Sequence, residues 1–404
     1  MDGIISLVIQ SIRSLELEKR LSPKRNPNIA WFYVFLPAFF GYIVLLTQYL
    51  NAKPHIGTIE IFNSAFGGLV SRSSHMEIIV NNSEWADGPL WVDDESSSSG
   101  YLLFSDTKLN NIYKWEEGKG LFTIGKFRFH ARSGCKLNSS HCDSLLDPGS
   151  NGLIQPLAIH YPPNAPTSVD FIACQMGERA ITFFRENGTR TVIASHFKGR
   201  RFNSPNDLVM SPEGHLYFTD PPFGLYNRSN HIIDRQLPFS GVYMIRVDAV
   251  RQSIQSGIPV DGDKDIRLIQ KDIRRPNGLA FSPDYSKLYI SNSEISNACW
   301  TVYDVTDSGG LTNGRVFYNA SEHSQLLGQG LPNGLKVDLF GNVFASGPGG
   351  VLVLNADGLL LGRLTLDRPV SNLVITASGM MYLTAGDLVI RLKTLTKPVR
   401  ILSK

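Results

Sequence analysis

The hydrophobic residues of this chain follow two different patterns. Residues 31–50 (WFYVFLPAFFGYIVLLTQYL) form one apolar run without a charged side chain. Beyond about residue 76, short β-branched and aromatic runs alternate with Gly, Pro, Asn and Asp, and no convincing amphipathic helix is found. Short apolar runs bounded by turn residues are typical of strands. The first pattern predicts one long apolar helix, and the second predicts an all-β domain over residues 76–404.

The apolar run is long enough to cross a membrane. Twenty residues at about 1.5 Å each give a helix of about 30 Å, which is the thickness of a bilayer core. Trp31, Tyr33 and Tyr49 lie near its ends, as interfacial aromatic residues do. A buried core helix is the alternative interpretation. We therefore expect a transmembrane signal anchor over residues 31–50.

Basic residues predict the orientation of this anchor. Before the run lie Arg13, Lys19, Arg20, Lys24 and Arg25. The positive-inside rule places residues 1–30 in the cytosol as a basic tail. Residues 51–75 are then a linker, and the β domain lies in the lumen of the secretory pathway or outside the cell. This arrangement is that of a single-pass type II membrane protein.

Other sequence features agree with a lumenal or extracellular domain. Asn-x-Ser/Thr glycosylation acceptors occur at Asn81, Asn138, Asn187, Asn227 and Asn319. Cys135 and Cys142 are separated by six residues in a polar loop and would most simply form a disulfide in an oxidising compartment. Cys174 and Cys299 lie among apolar residues, and we expect them to be buried, inert thiols.

The β domain repeats one phrase: an Asn or Asp that opens an apolar strand, followed by a second strand. The opening residues are Asp87, Asn151, Asn206, Asn277, Asn333 and Asn372. Six units over residues 76–404 average about 55 residues, which is the size of a four-stranded propeller blade. The repeat therefore predicts a six-bladed β-propeller, with an array of β-sandwiches as the alternative.

In a propeller, the innermost strand of each blade lines the central channel, so the six opening residues would form a ring at one mouth. Every side chain of this ring carries an oxygen atom. Hard, mostly uncharged oxygen ligands suit Ca²⁺ better than Zn²⁺, although other divalent cations could also bind. The alternative is that each residue only forms an Asx-turn at a strand entrance.

Bulk charge argues against a nucleic-acid partner. The chain has 39 basic and 36 acidic residues, giving a net charge of +3, without the basic excess of a nucleic-acid-binding surface. A phosphate-binding loop is also absent, because GPGG at residues 347–350 is followed by no Lys and no helix start. The sequence carries no feature that sets an oligomeric state.

Three long motifs identify a family. FNSPNDLVMSPEGHLYFTDPPFG (202–224), RRPNGLAFSPDYSKLYISNSE (274–294) and LPNGLKVDLFGNVFASGPGGVLVLNADGLLLG (331–362) closely resemble the gluconolactonase, senescence-marker-protein and luciferin-regenerating family. Shorter motifs extend the resemblance over about residues 84–390. The resemblance implies a six-bladed propeller with one calcium ion in its channel, which acts as a Lewis acid in the hydrolysis of a lactone or related ester.

The resemblance also implies roles for individual residues. Asn206 of SPND and Asn277 of RPNG match metal ligands of the family. Asp87 stands where the family usually has a Glu ligand, and Asn333 stands where it has an Asp that is both a ligand and the presumed base. Asn151 and Asn206 would also order the substrate.

Two departures from the family pattern affect catalysis. The Asn333 amide cannot accept a proton at neutral pH, so it cannot be a general base. Met176 replaces a channel His and cannot move a proton. Asp207 or Asp220 could replace the base if its carboxylate faces the channel, and we name Asp207 as the candidate. The alternative for Asp220 is a turn-forming role before Pro221.

The sequence therefore supports a membrane-anchored, calcium-dependent hydrolase of lactones whose partner is a small-molecule substrate. One alternative is a catalytically degenerate propeller that binds a ligand or protein without turnover. Another, which rests on likeness of fold only, is a strictosidine-synthase-like or phosphotriesterase-like propeller.

Overall fold

A computed structural model describes residues 56–93, 100–126, 150–154, 170–185, 187–226, 229, 231–321 and 328–399. For residues 125–126 and 150–154 it describes the backbone only. The predicted anchor at residues 31–50, the acceptors Asn138 and Asn227, and the pair Cys135 and Cys142 lie outside these residues. Within the described part of the chain, no helix is both long and apolar enough to cross a membrane.

The described residues form six antiparallel sheets of four or five strands, which are the blades of a β-propeller. Two strands precede the first blade: β1 (Thr58–Ile61) and β2 (Glu77–Val80). Blade 1 contains β3 (Ala86–Val92), β4 (Tyr101–Asp106), β5 (Asn111–Glu116) and β6 (Gly120–Lys126). Blade 2 contains β7 (Ser150–Ile154), β8 (Phe171–Gln175), β9 (Ala180–Phe184) and β10 (Arg190–Ala194). The predicted six-bladed propeller is confirmed.

The other four blades follow in chain order. A two-stranded ribbon, β11 (His196–Phe197) and β12 (Arg200–Arg201), precedes blade 3. Blade 3 contains β13 (Leu208–Met210), β14 (Leu216–Asp220), β15 (Gly241–Ile245) and β16 (Ile266–Gln270). Blade 4 contains β17 (Pro276–Phe281), β18 (Lys287–Asn292), β19 (Cys299–Val305) and β20 (Leu311–Asn319). Blade 5 contains β21 (Leu335–Val337), β22 (Val343–Gly347), β23 (Gly350–Leu354) and β24 (Leu360–Thr365). Blade 6 contains β25 (Asn372–Ile375), β26 (Met380–Ala385) and β27 (Leu388–Lys393).

The first two strands complete the last two blades. β2 is the outer strand of blade 6 and pairs with β27, while β1 is a fifth strand of blade 5 and pairs with β24. Residues 51–75, which the sequence predicts as a linker, therefore contain a strand of the propeller and a short 3-10 helix at Ser64–Gly68. The propeller begins by Thr58 and not at residue 76. This closure joins strands that are about 300 residues apart in sequence.

The hydrophobic core is divided into layers between neighbouring blades. Six clusters of buried apolar residues are present, and each joins strands of two adjacent blades. The second strand of blade 3, LYFTD, is buried along its whole length because it is covered on both faces. The same holds for the second strands of blades 1, 2 and 5.

One helix was not expected from the sequence. α1 (Val247–Ser256) lies between β15 and β16 of blade 3, and it buries Ala249, Val250 and Ile254. It ends at Gly257, whose φ of 74° is the left-handed conformation that glycine adopts at helix ends. The apolar face covers only a few residues of this short helix, so the sequence pattern was too weak to show it.

Candidate metal and substrate site

Five of the six predicted ring residues occupy the same place in their blades. Asp87 and Asn277 each directly follow the residue that pairs with the last residue of the second strand. Asn206 and Asn333 are equivalent to them, because their backbone N–H groups donate to the carbonyl of the last-but-one residue of the second strand, Thr219 O at 2.9 Å and Ser346 O at 3.0 Å. Asp87 pairs with the residue at the same position, Ser105. The backbone register of β7 against β8 gives Asn151 this position in blade 2.

Blade 6 departs from the predicted ring. Here Ser371, and not Asn372, donates its backbone N–H to the second strand, at 2.9 Å from Thr384 O. Asn372 is therefore one residue further along its strand, at the position that Asp207 occupies in blade 3. Because neighbouring residues of a strand point to opposite faces, this one-residue offset removes the Asn372 side chain from the ring.

Asn277 has the chemistry of a metal ligand. Its side chain is buried, and its Nδ2 donates a hydrogen bond of 2.9 Å to Ser293 Oγ. Its Oδ1 is buried without a hydrogen-bond donor. A buried acceptor without a partner costs roughly 1–3 kcal/mol, so such atoms commonly mark a missing ligand or water. The arrangement orients the amide oxygen and leaves it available to a cation.

The donor set fits a hard cation. Asp87, Asn206 and Asn277 are each only 5% exposed, and Asn333 is half-buried. No cluster of three or more carboxylate, imidazole or thiol groups occurs in the described ranges, so zinc-type ligation is not offered there. Amide oxygens with one carboxylate are ligands that suit Ca²⁺. Asp87 Oδ1 also accepts the N–H of Gly88 at 2.7 Å.

A polar cluster lies in the channel, next to the ring. Asp207, Lys336 and Asn372 line a cavity of about 140 Å³ whose other walls are mainly apolar. Asn372 Nδ2 donates to Asp207 Oδ2 at 3.4 Å, and Lys336 Nζ donates to Asn372 Oδ1 at 3.2 Å. Burial raises the pKa of the Asp207 carboxyl above its usual range, and the Lys336 ammonium opposes that rise. The second candidate base, by contrast, does not line this cavity.

Asp220 instead binds backbone. Its two carboxylate oxygens accept the N–H groups of Asn203 and Ser204, each at 2.8 Å. Burial raises the pKa of Asp220 to about 7. These contacts agree with the alternative that the sequence offers for Asp220, a turn-forming role before Pro221.

Glu178 and Arg179, in the turn between β8 and β9, hold neighbouring segments of the chain together. Arg179 is almost fully buried, and its guanidinium donates to the carbonyl of Phe202 at 2.5 Å and to the carbonyl of Asp234 at 3.1 Å. Glu178 accepts a 2.6 Å ion pair from Arg190. Met176, where the family has a histidine, is buried and adds no polar atom.

The remaining sequence predictions concern the surface and the thiols. Asn81 and Asn187 are exposed, and Asn319 is half-buried. Cys174 and Cys299 are free and buried, as expected. Burial, together with the charges of Asp207 and Asp220, raises the pKa of the Cys174 thiol well above its usual value, so this thiol is inert.

Comparison with known proteins gives one consistent group of relatives. The model of the SMP-30/Gluconolactonase/LRE-like region matches residues 85–386. The chain is 33% identical over 347 residues to a gluconolactonase of Zymomonas mobilis, covering 84% of this chain and 87% of that protein. The structure of a gluconolactonase from Xanthomonas campestris superposes with a TM-score of 0.64 and 25% identity, over 84% of this chain and 97% of that one.

A more distant structure shares the fold. The calcium-binding protein regucalcin from Agrobacterium tumefaciens superposes with a TM-score of 0.56 at 14% identity, over 80% of this chain and 94% of that one. At this identity the likeness is one of architecture.

Proposed function

Because the chain belongs to the SMP-30/Gluconolactonase/LRE-like family, we propose that it is a calcium-dependent hydrolase of lactones. The relatives named gluconolactonase support the reaction class. The observation that carries the proposal for this chain is the buried, unpartnered Oδ1 of Asn277 in a ring of oxygen-bearing residues. No donor among the described residues uses that atom, so it is available to a cation.

The residues that would hold the ion are Asp87, Asn206, Asn277 and Asn333. Calcium, when bound, supplies a Lewis acid that polarises the lactone carbonyl. We expect the amides of Asn151 and Asn206 to donate hydrogen bonds that orient the hydroxyl groups of the substrate. The buried position of Asp87 and Asn206 keeps these groups fixed before the substrate arrives, which lowers the entropy cost of binding.

Asp207 is the proposed general base. Its carboxylate lines the 140 Å³ cavity, which has room for about four water molecules at roughly 30 Å³ each. In the proposed step, Asp207 accepts a proton from a water molecule as the water oxygen bonds to the carbonyl carbon. Asp207 then returns this proton to the ring oxygen as the ring C–O bond breaks, which gives the hydroxy acid and restores the Asp207 carboxylate. The Lys336 ammonium favours the ionised form of Asp207 that this step needs.

The test is lactone hydrolysis by the purified full chain in detergent, with calcium and with a chelator, beside an Asn333→Asp variant. We expect slow, calcium-dependent turnover that rises roughly tenfold or more in the variant, because the variant restores a carboxylate that can accept a proton. Hydrolysis by neither protein would refute the reaction. Equal, fast hydrolysis by both would show that position 333 plays no part.

A second candidate is a propeller that binds a ligand around calcium without turnover. The amide at Asn333 and the thioether at Met176 favour it, since neither moves a proton. Calcium binding without hydrolysis in the same assay would select this candidate.

We further propose that residues 31–50 anchor the protein in a membrane, with the propeller on the lumenal or extracellular side. The apolar run, the basic residues before it and the exposed acceptors Asn81 and Asn187 support this topology. Deletion of residues 31–50 is expected to move the protein from the carbonate-washed membrane pellet to the supernatant. Full-length protein that already remains in the supernatant would contradict the anchor.

A further inference from the structure

The last residue of the second strand is an Asp or Asn in three blades: Asp106 in blade 1, Asp220 in blade 3 and Asn292 in blade 4. All three side chains are buried, with exposures of 0%, 0% and 4%. Each lies beside the loop that leads into the inner strand of its own blade. These are the blades that carry Asp87, Asn206 and Asn277.

Each of these side chains accepts a backbone N–H from the residue two positions before the ring residue. In blade 1, Asp106 Oδ1 accepts the N–H of Trp85 at 3.2 Å. In blade 3, Asp220 Oδ1 accepts the N–H of Ser204 at 2.8 Å. In blade 4, Asn292 Oδ1 accepts the N–H of Arg275 at 3.2 Å. The spacing is the same in all three blades.

Each of the three side chains accepts at least one more backbone hydrogen bond. Asp106 and Asp220 use both carboxylate oxygens, and Asn292 joins the loops before and after its blade's first two strands. Asp106 Oδ2 accepts the N–H of Glu84 at 2.7 Å, and Asp220 Oδ2 accepts that of Asn203 at 2.8 Å. Asn292 Oδ1 also accepts the N–H of Glu294, at 3.3 Å, from the loop after the second strand. The backbone that leads to each ring residue is thus held at two or more points.

Blades 5 and 6 lack this device. The equivalent residue is Gly347 in blade 5 and Ala385 in blade 6, and neither has a side chain that accepts a hydrogen bond. In blade 2 the equivalent residue is Gln175, whose counterpart, residue 149, lies outside the described residues. We call this contact, in which the side chain at the end of the second strand accepts backbone N–H groups, the clamp. Among the described blades, it occurs in the three whose ring residues are buried.

We propose that Asp106, Asp220 and Asn292 are positioning residues that fix the side-chain oxygens of Asp87, Asn206 and Asn277 for cation binding. This inference rests on the proposed function, because it concerns the same site. A carboxylate that accepts two N–H groups fixes the loop before the cation binds. The conformational entropy of the loop is therefore lost during folding and not during cation binding. Residues that orient metal ligands without contacting the metal typically contribute 10- to 100-fold to metal affinity.

The experiment is calcium titration calorimetry on the full chain in detergent at pH 8, comparing wild type with Asp220→Asn. The amide nitrogen of this variant cannot accept one of the two N–H groups, so the loop before Asn206 is loosened. We expect calcium affinity to fall roughly 10- to 100-fold. Asp106→Asn is the second variant, with the same expected loss, in case Asp220→Asn folds poorly.

Asp338→Asn is the matched control. Asp338 is also fully buried, and its Oδ1 accepts two backbone N–H groups, those of Phe340 at 2.9 Å and Asn342 at 2.8 Å. It lies after β21, at the other end of an inner strand from the ring. We expect it to lower the melting temperature without calcium about as much as Asp220→Asn does, while leaving calcium affinity unchanged.

Each outcome decides between explanations. Wild-type affinity in both Asp220→Asn and Asp106→Asn, or an equal loss in Asp338→Asn, would overturn the positioning role while leaving the calcium site intact. A wild-type protein that binds no calcium would overturn the calcium site of the proposed function together with this inference. A selective loss in the ring-side variants would support both.

Discussion

Replacement of Asn277 by alanine is expected to weaken calcium binding and lactone hydrolysis by at least roughly tenfold each. The variant removes the buried Oδ1 that no protein group donates to, and with it a proposed ligand. In calcium-free buffer we expect little change in melting temperature, because the lost hydrogen bond to Ser293 is offset by removal of an unsatisfied acceptor. Calorimetry and thermal unfolding, each with and without calcium, measure the two effects separately.

Asn277→Asp is the control for this prediction. It keeps an oxygen in place and adds a negative charge, so it should bind calcium at least as tightly as the wild type. Undiminished calcium binding by Asn277→Ala would show that the unpartnered oxygen is not a ligand.

Gly278→Ala is expected to lower the free energy of unfolding by about 1–3 kcal/mol. A Cβ atom at Gly278 would lie 2.3 Å from the carbonyl oxygen of Asn333 and 2.6 Å from the Cα of Gly334. Both contacts are with backbone, so the inner strands of blades 4 and 5 would have to separate. Because Asn333 is one of the displaced residues, calcium affinity should fall together with stability.

Gly67→Ala serves as the comparison for this substitution. Gly67 has no heavy atom within 4 Å of an added Cβ and needs no positive φ. We expect it to leave the melting temperature and calcium affinity unchanged. A Gly278→Ala variant as stable as Gly67→Ala would mean that neighbouring inner strands move apart easily, against the tight packing described here.

The Gly278 contacts also explain why Asn-Gly recurs in the sequence. In RPNG and LPNG the glycine follows the ring residue at a point where an added Cβ would collide with the adjacent inner strand. At Gly334 an added Cβ would lie 2.1 Å from Asn372 Cγ. In the Asn-Gly repeat, the Asn is therefore a candidate ligand, and the Gly is needed for the close packing of the strands. The sequence alone shows only that the two residues recur.

The repeat was sufficient to predict the number of blades and the place of the inner strands. It could not set the ring in blade 6, because Ser371 and Asn372 are both polar and a shift of one residue reverses the face on which a side chain lies. Only the pairing with β26 distinguishes them. The start of the propeller was also missed, because β1 is short and pairs with β24, about 300 residues away.

The clamp residues left a signal that sequence reasoning did not use. The second strands YLLFSD, LYFTD and LYISN all end in Asp or Asn, and they belong to the blades that carry Asp87, Asn206 and Asn277. A polar residue at a strand end is ordinarily read as the start of a turn. Such a residue can also accept backbone N–H groups from the loop before the ring residue. Whether it does so depends on the conformation of that loop.

Ring closure by β2 has a consequence for biosynthesis. β2 leaves the ribosome early, yet its partner β27 is made about 300 residues later. At roughly 5–20 residues per second, the exposed edge of β2 waits about 15–60 s for that partner. During this interval an unpaired strand is a template for wrong pairing with other chains. A nascent chain of this protein therefore has reason to engage a chaperone until its final hairpin is translated.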